Sequence, residues 1–533
     1  MRYANDAPEP NLRPPHPATN AANGQAAPFR AAHWFVLGLA IAVGAFLRLC
    51  NLEVWSFWID EAHTWRDSTI PWSALPGDRK LYSLPFALLR VLLGQGWIGN
   101  DEYSLRFPFV LVGIATVPLL AICGRRAIGA WPAVLAAWLI AVHPWHVYWS
   151  QNARGYVLVF AFAVIAANRG LVFAETQRLR DFFATMAAVL VGSVCHPAAA
   201  LQGLGFVAFL VLRRFPTLHG RGFLRIAVIV IAAGLLLPWI VDWLPFRDFF
   251  ISKSSPSLMH LAQTTAYYYV PVVILTAFVG LMLGWRLLGR ERAMLLGCMW
   301  IVPFFVLATI GTLVAKVTAR YALCTLPVVT WLAAFACSRI GTAVAAETGS
   351  WSRRATAVVL PLLLLAGHGL EVWTYHTERH GDRARWREAC SFVSRSAGTG
   401  ALRVLTVNHP TVVFYLRPTH WEPSESDPYP AVQVVPLVGW MVNSGQNEAR
   451  QPVCEPGARN HLRWNIAEAR RSQAQFFVMI TRPELADHDD GSGVDPRGGI
   501  LQEIERGFDL VLCLPCWVGP KDESVYVYAP KRE

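Results

Sequence analysis

Long apolar runs separated by short polar punctuation extend from His33 to about residue 372 and organise the chain. Runs of about 17–25 apolar residues have the helix length needed to cross a roughly 30 Å hydrocarbon layer. They predict membrane helices over 33–52, 106–123, 128–147, 155–174, 182–196, 197–213, 223–244, 266–285, 293–315, 321–339 and 354–372, about eleven in all. The fifth and sixth are short enough to count as one hairpin. The apolar stretch Leu84–Leu93 is too short to span and is expected to lie in the interface. Residues 1–31, rich in Ala, Pro and Asn and without an apolar core, predict a disordered tail and not a cleaved signal peptide.

After residue 372 the texture changes. A helical pattern over Ala384–Ser394 precedes strand-like runs at Val404–Val407, Val412–Leu416, Val432–Val438, Phe476–Ile480, Leu510–Leu514 and Val525–Tyr528. Helical segments between several of them predict an α/β layer domain, with Pro423–Pro430 and Asp487–Gly499 as surface loops. No internal repeat is visible. The chain thus divides into the tail 1–31, a membrane region 32–372 with a large first loop over 53–105, and a domain over 373–533.

Composition narrows the class. Hydrophobic residues make up 54% of the chain and charged residues 16%, against about 25% charged in soluble proteins. That disfavours an ordinary cytosolic enzyme, and disorder, a collagen-like fibre and a disulfide-stapled mini-protein are excluded as overall classes. The net charge of +11 would suit nucleic acid if it formed one patch, but it is spread over loops. With the N-terminus cytoplasmic, the inner connections carry Arg125, Arg126, Arg178, Arg180, Arg213, Arg214 and many more. The outer connections carry only Arg154, Arg247, Lys253, Lys316 and Arg320. Positive residues favour the cytoplasmic side, so the expected protein is a multi-pass one of the cell's inner or plasma membrane with an extracytoplasmic C-terminal domain. Cys50, Cys123, Cys195, Cys298, Cys324 and Cys337 fall in or beside helices, where cysteine is a small apolar filler. Cys390, Cys454, Cys513 and Cys516 leave room for one disulfide in an oxidising compartment. Cys513-x-x-Cys516 lacks the two further ligands of a structural zinc site, and no metal site is expected.

The candidate chemistry sits at the outer ends of the helices. Trp55-Ser56-Phe57-Trp58-Ile59-Asp60-Glu61-Ala62 places two carboxylates just beyond the first helix, ringed by tryptophans that belong at headgroup level. Partial desolvation there makes a carboxylate a better base; otherwise the motif is a solvated loop. Arg154, in Gln151-Asn152-Ala153-Arg154-Gly155-Tyr156, can pair with a lipid phosphate or act as an interfacial anchor. His196-Pro197 marks an outer turn, where a histidine packs or caps more often than it binds a ligand. Lys316 and Arg320-Tyr321 keep positive charge against the inside bias, which invites an anionic partner.

The order of these motifs resembles the membrane glycosyltransferases that take sugar from a polyprenyl-phosphate carrier, the protein-O-mannosyltransferase and aminoarabinose-transferase-like group with the C-type fold. The resemblance rests on Leu47-Arg48 ending the first helix, Asp60-Glu61-Ala62 in the loop, Glu102-x-x-x-Arg106-Phe107-Pro108 opening the second helix, and Gly124-Arg125-Arg126. It continues through His143-Pro144…Ser150…Arg154…Tyr156, His196, Arg320-Tyr321…Pro327 and Trp386-Arg387-Glu388-Ala389, covering most of residues 33–395. Many relatives have His-Pro-Pro or Lys-Pro-Pro in the first loop. Here Arg79-Lys80-Leu81-Tyr82-Ser83-Leu84-Pro85 lacks the double proline.

The resemblance implies a polyprenyl-phosphate sugar as donor and an acceptor hydroxyl on a glycolipid, glycan or protein, with no added cofactor. Asp60 would act as base with inversion at the anomeric carbon, and Glu61 would orient the acceptor or a basic neighbour. Arg154, Arg320, Lys316 and Lys80 would hold the donor phosphate, while His196, Tyr156 and Tyr321 would line the substrate site. Two rival readings are a lipid or solute transporter without covalent chemistry and a receptor or assembly factor acting through its outer domain. Transporters place charge near the bilayer midplane, often on broken helices in inverted repeats. The charges here cluster at the outer boundary instead.

Overall fold

Helix α1 (Ala31–Leu49) opens the bundle, and the first loop behind it carries α2 (Ile59–Thr69), α3 (Gly77–Leu81) and α4 (Leu84–Gly94). In the computed structural model the described residues are 28–214, 257–313, 317–347, 350–416, 432–437, 455–471, 473–481, 496–518 and 521–531. The expected tail through residue 27, the helix 223–244, Arg247, Lys253, Lys316, Cys454, the loop 423–430 and most of 487–499 lie outside them.

The bundle continues through α5 (Glu102–Ile128), α6 (Ala130–Ala141), α7 (Pro144–Ser150), α8 (Tyr156–Thr176), α9 (Leu179–Cys195) and α10 (Ala200–Arg214). It resumes with α11 (Leu258–Tyr269), α12 (Pro271–Leu287), α13 (Arg290–Leu313), α14 (Leu326–Glu347) and α15 (Ser350–Thr377). Among the described residues, 6 helices are long and apolar enough to cross a membrane, or 7 if the pair α11 and α12, bent by 88°, is one span.

Two expected spans are broken, and proline is the reason in both. Over 128–147 the helix stops at Ala141, because Pro144 has no N–H and holds His143 in an extended conformation (φ −74°, ψ 118°). The break leaves carbonyls without helical partners in an apolar setting, which is costly unless a side chain fills in. Arg48 does this. Its fully buried guanidinium donates to Ile140 O at 3.0 Å, Ala141 O at 2.9 Å and Ser150 Oγ at 3.2 Å, and contacts His146 Nδ1 at 2.7 Å. The second break, at Val270–Pro271, produces the bend between α11 and α12.

The C-terminal part forms α16 (Trp386–Ala397), β1 (Leu402–Thr406), α17 (His409–Leu416), β2 (Val432–Pro436), α18 (Glu455–Arg471), β3 (Gln475–Ile480), α19 (Pro496–Gly507), β4 (Phe508–Leu514), β5 (Trp517–Val518), β6 (Lys521–Asp522) and β7 (Val525–Pro530). The main sheet has the order β2-β1-β3-β7-β4. Strand β1 is parallel to both neighbours, and β7 runs antiparallel to β3 and β4. An α/β layer domain is therefore present.

One expected strand is a helix. Val412–Leu416 lies in α17, where Pro410 occupies the first turn, a position that tolerates a missing N–H. The Asn408 side chain accepts from Thr411 Oγ1 at 2.9 Å and helps to start it. Helical spacing divides the apolar side chains between two partners. Val412 and Leu416 enter the sheet core with Val404 and Phe477, whereas Val413 and Phe414 pack with Phe57 and Trp65 of the first loop. The described cysteines are free thiols and form no disulfide; Cys516 Sγ bonds to the Arg383 carbonyl at 3.1 Å.

Candidate active site

Asp60 and Glu61 occupy the first turn of α2, where carboxylates complement the positive end of the helix dipole. Successive helix positions point about 100° apart, so the two carboxylates part company. Glu61 faces inward and is fully buried. Arg106 of α5 binds it through Nε to Oε1 and Nη2 to Oε2, both at 2.8 Å. Ala153 N–H adds 3.0 Å to Oε1, and Arg383 Nε lies 3.5 Å from Oε2. Burial by itself would raise the Glu61 carboxyl. The charge and hydrogen bonds of Arg106, then Arg383 and the Ala153 amide, hold it below the usual carboxylate range. Arg106 spends its remaining donors on the carbonyls of Leu52, Trp55 and Ser56. Glu61 thus fastens the first loop to α5, to the 151–155 segment and to the end of α15, and its own oxygens face protein.

Asp60 points the other way, with its side chain 25% exposed. Its Oδ2 lies 3.8 Å from Arg154 Nη2 and 3.8 Å from Arg320 Nη1. Arg154 is braced by Thr64 Oγ1 at 3.1 Å and Asp60 O at 3.3 Å. Arg320 comes from the 3-10 turn Ala319–Thr325 and donates to Tyr321 OH at 3.1 Å. Aromatic rings line the adjoining wall: Tyr156 lies 4.3 Å from His196 and 3.9 Å from Trp149, and Tyr321 lies 6.0 Å from His196. His196 is buried and accepts from Ala198 N–H through Nδ1 at 3.2 Å, so it caps the turn between α9 and α10. Gly155 permits this closeness, because a Cβ there would lie 2.3 Å from the Cys195 carbonyl oxygen.

The structure therefore brings Asp60, Arg154, Arg320, Tyr156, His196 and Tyr321 together. Lys80 is exposed on α3, and no contact among the described residues joins it to Asp60. Its neighbour Arg79 instead pairs with Asp67 at 3.3 Å. Lys316 lies outside the described residues.

Sequence reasoning missed the clasp between the first loop and the sheet domain. Arg387 Nε donates to Glu102 Oε1 at 3.0 Å, and Tyr415 OH donates to the same oxygen at 2.7 Å while accepting from Phe57 N–H at 2.7 Å. Arg383 donates to Gln151 O at 2.8 Å and stacks over Tyr148 at 5.0 Å and Trp55 at 5.4 Å. Part of the signal was visible: Glu102 and Arg106 lie four apart and so share a helix face. Arg383 gave none. It reaches inward because His380, Gly381 and Asp382 all adopt positive φ (49°, 62° and 51°) and turn the chain after α15.

The arrangement defines a class by its fold: a multi-pass membrane protein with a broken-helix bundle, a carboxylate between two guanidiniums at one end, and a sheet domain clasped over that end. Residues 89–241 match the family model for dolichyl-phosphate-mannose-protein mannosyltransferase. The chain is similar to ArnT from Cupriavidus metallidurans bound to undecaprenyl phosphate, at 14% identity over 94% of this chain and 98% of that one, with a TM-score of 0.55. The apo state of the same protein matches at 15% identity over 94% and 98%, TM-score 0.54. The archaeal oligosaccharyltransferase AglB from Archaeoglobus fulgidus, in complex with an inhibitory peptide and a dolichol-phosphate, matches at 12% identity over 94% of this chain and 74% of that one, TM-score 0.52. No curated protein sequence matches the chain. The resemblance to polyprenyl-phosphate-dependent membrane glycosyltransferases is thus met in the family match and in the fold.

Proposed function

We propose that the protein is a membrane glycosyltransferase that moves a sugar from a polyprenyl-phosphate carrier to an acceptor hydroxyl on the outer face, with inversion. The observation that carries this reading is the single Asp60 oxygen lying 3.8 Å from both Arg154 and Arg320. A phosphate entering between those guanidiniums replaces Asp60 as their counter-ion through charge-assisted hydrogen bonds. The released carboxylate then accepts the acceptor proton while the hydroxyl oxygen bonds to the anomeric carbon. The bond from that carbon to the phosphate oxygen breaks, and its electron pair leaves with the polyprenyl phosphate. That leaving group is already a stable anion, so the step needs no general acid, unlike glycoside hydrolysis with its two carboxylates. Arg154 and Arg320 stabilise the charge that grows on it. Glu61 is a positioning residue in this scheme, and Tyr156, His196 and Tyr321 shape the donor side.

In this reading the N-terminus is cytoplasmic and the sheet domain lies outside. The skew of basic residues towards the inner connections supports that orientation, as does the clasp between the sheet domain and the loop that carries Asp60. The test is transfer itself. Purified protein is incubated with labelled polyprenyl-phosphate sugars and membrane fractions, and the expected result is label moving into one glycolipid, glycan or protein fraction. Label that stays on the carrier with every fraction overturns the reading.

A further inference from the structure

Basic side chains crowd one corner of the bundle, at the end opposite Asp60. Arg213 and Arg214 close α10, Arg286 stands in the last turn of α12, and Arg290 and Arg292 open α13, whose far end leads towards Arg320. Gly289, at a φ of +91° that side chains disfavour, makes the short turn from α12 into α13. The Arg213–Glu291 ion pair, at 3.0 Å, ties that turn to the end of α10. Several arginines at this end are neutralised within the protein. Arg126 and Arg292 share Glu175, and Arg169 and Arg180 face Asp181 at 3.7 and 3.8 Å. Arg214, Arg286 and Arg290 differ: each is exposed, and among the described residues none of them has a carboxylate partner. Arg290 lies over the Trp285 ring at 5.9 Å, and both Trp285 and Leu287 are about half exposed, at 48% and 55%.

These features select a chemistry. Three uncompensated guanidiniums gathered at helix ends attract an anion, and a guanidinium fits phosphate oxygens in a two-pronged way. Basic clusters at a membrane boundary draw acidic headgroups in this manner. A free phosphate would use the cations alone. The exposed indole belongs at headgroup level, and Leu287 offers apolar surface beside it, so the corner suits an anion that also carries acyl chains. We propose that it binds an acidic phospholipid, with the phosphate among Arg214, Arg286 and Arg290 and the chains against Trp285 and Leu287. The proposal does not depend on the transferase reading. In the orientation given above, the lipid belongs to the cytoplasmic leaflet.

The test counts the lipid retained by the full-length protein in native mass spectrometry, after titration in a neutral detergent with phosphatidylglycerol or phosphatidylcholine. Tighter retention of phosphatidylglycerol is expected. Arg214→Gln, Arg286→Gln and Arg290→Gln should each weaken it about fivefold, the usual contribution of one arginine at an anionic surface, and the three together about a hundredfold. All three side chains are exposed, so the variants should fold like the parent, which the unfolding midpoint checks. Arg178→Gln is the control, because Arg178 is exposed at the turn between α8 and α9, outside the cluster; retention should not change. Inorganic phosphate in large excess should not displace the lipid. Equal retention of both lipids, no loss in the triple variant, an equal loss in Arg178→Gln, or displacement by inorganic phosphate overturns the proposal. So does a loss confined to Arg154→Ala, which would place the lipid beside Asp60.

Discussion

Arg106 and Glu61 form a fully buried, two-pronged ion pair, each prong 2.8 Å long. A buried pair of this kind contributes little over an apolar substitute, but removing one partner strands the other's charge at a cost of about 3–5 kcal/mol. Arg106→Ala should therefore lower the thermal unfolding midpoint sharply, since Arg106 also holds the carbonyls of Leu52, Trp55 and Ser56. The pH dependence has a definite sign. Glu61's folded pKa is depressed, so its stabilisation is fully present above the unfolded carboxylate value and is lost as pH falls below it towards the folded value. Glu61→Gln should flatten the acid side of the stability profile, and an unchanged acid limb would remove Arg106 as the cause.

Asp60 is the opposite case, partly exposed, with Arg154 and Arg320 each 3.8 Å from its Oδ2. Such pairs are worth at most about 1 kcal/mol, so Asp60→Asn should insert and unfold like the parent protein. Its transfer rate should nevertheless fall by about 10²–10⁴, the usual contribution of a positioned base. Arg154→Ala should act mainly on donor use, raising the donor concentration needed for half-maximal rate. Full turnover by Asp60→Asn, or an Arg154→Ala defect that more donor cannot rescue, contradicts the assigned roles.

Two glycines hold the site together by what they lack. A Cβ on Gly155 would sit 2.3 Å from the Cys195 carbonyl, which belongs to backbone and cannot swing aside. A Cβ on Gly381 would lie 2.4 Å from the Trp55 ring, at a φ of +62° that side chains disfavour. Each change to Ala should destabilise by about 1–3 kcal/mol through overpacking. Gly381→Ala should additionally loosen the Arg383–Glu61 contact, read as faster proteolysis between α15 and α16. Native protease resistance in that variant would show that the turn tolerates the methyl group.

Much of this was legible because hydrophobic periodicity and motif order are local properties of the chain. The Asp60-Glu61 step, the basic Arg154 and Arg320, and the His196 turn could all be named before their contacts were known. What sequence could not supply was direction. Asp60 and Glu61 are neighbours with opposite fates, since helix rotation sends one to the site and the other into a buried ion pair. The apolar run Val412–Leu416 fits a strand by composition, but Asn408 and Pro410 start a helix that shares its side chains between two cores. The run over 128–147 fits one span by length, while Pro144 and the carbonyls held by Arg48 make it two pieces. Arg383, in a distant part of the chain, meets Glu61 only through the fold.

Asp382 supplies the last prediction. Burial pushes its carboxyl up to about 6; Arg379, the Tyr267 hydroxyl and Arg383 pull it down, and Glu371 adds to the rise. A folded pKa above the unfolded value of 3.8 means that the native state retains a proton the unfolded chain has already shed. The resulting stabilisation is complete below about pH 3.8 and is lost as pH rises through about 6. Asp382→Asn lacks this titration, so at neutral pH it should be more stable by on the order of 3 kcal/mol, less whatever its Arg379 contact contributes. The gap in unfolding midpoint between the variant and its parent should therefore widen from pH 4 to pH 7. A gap that does not vary with pH would mean that the carboxylate is already satisfied by its protein neighbours.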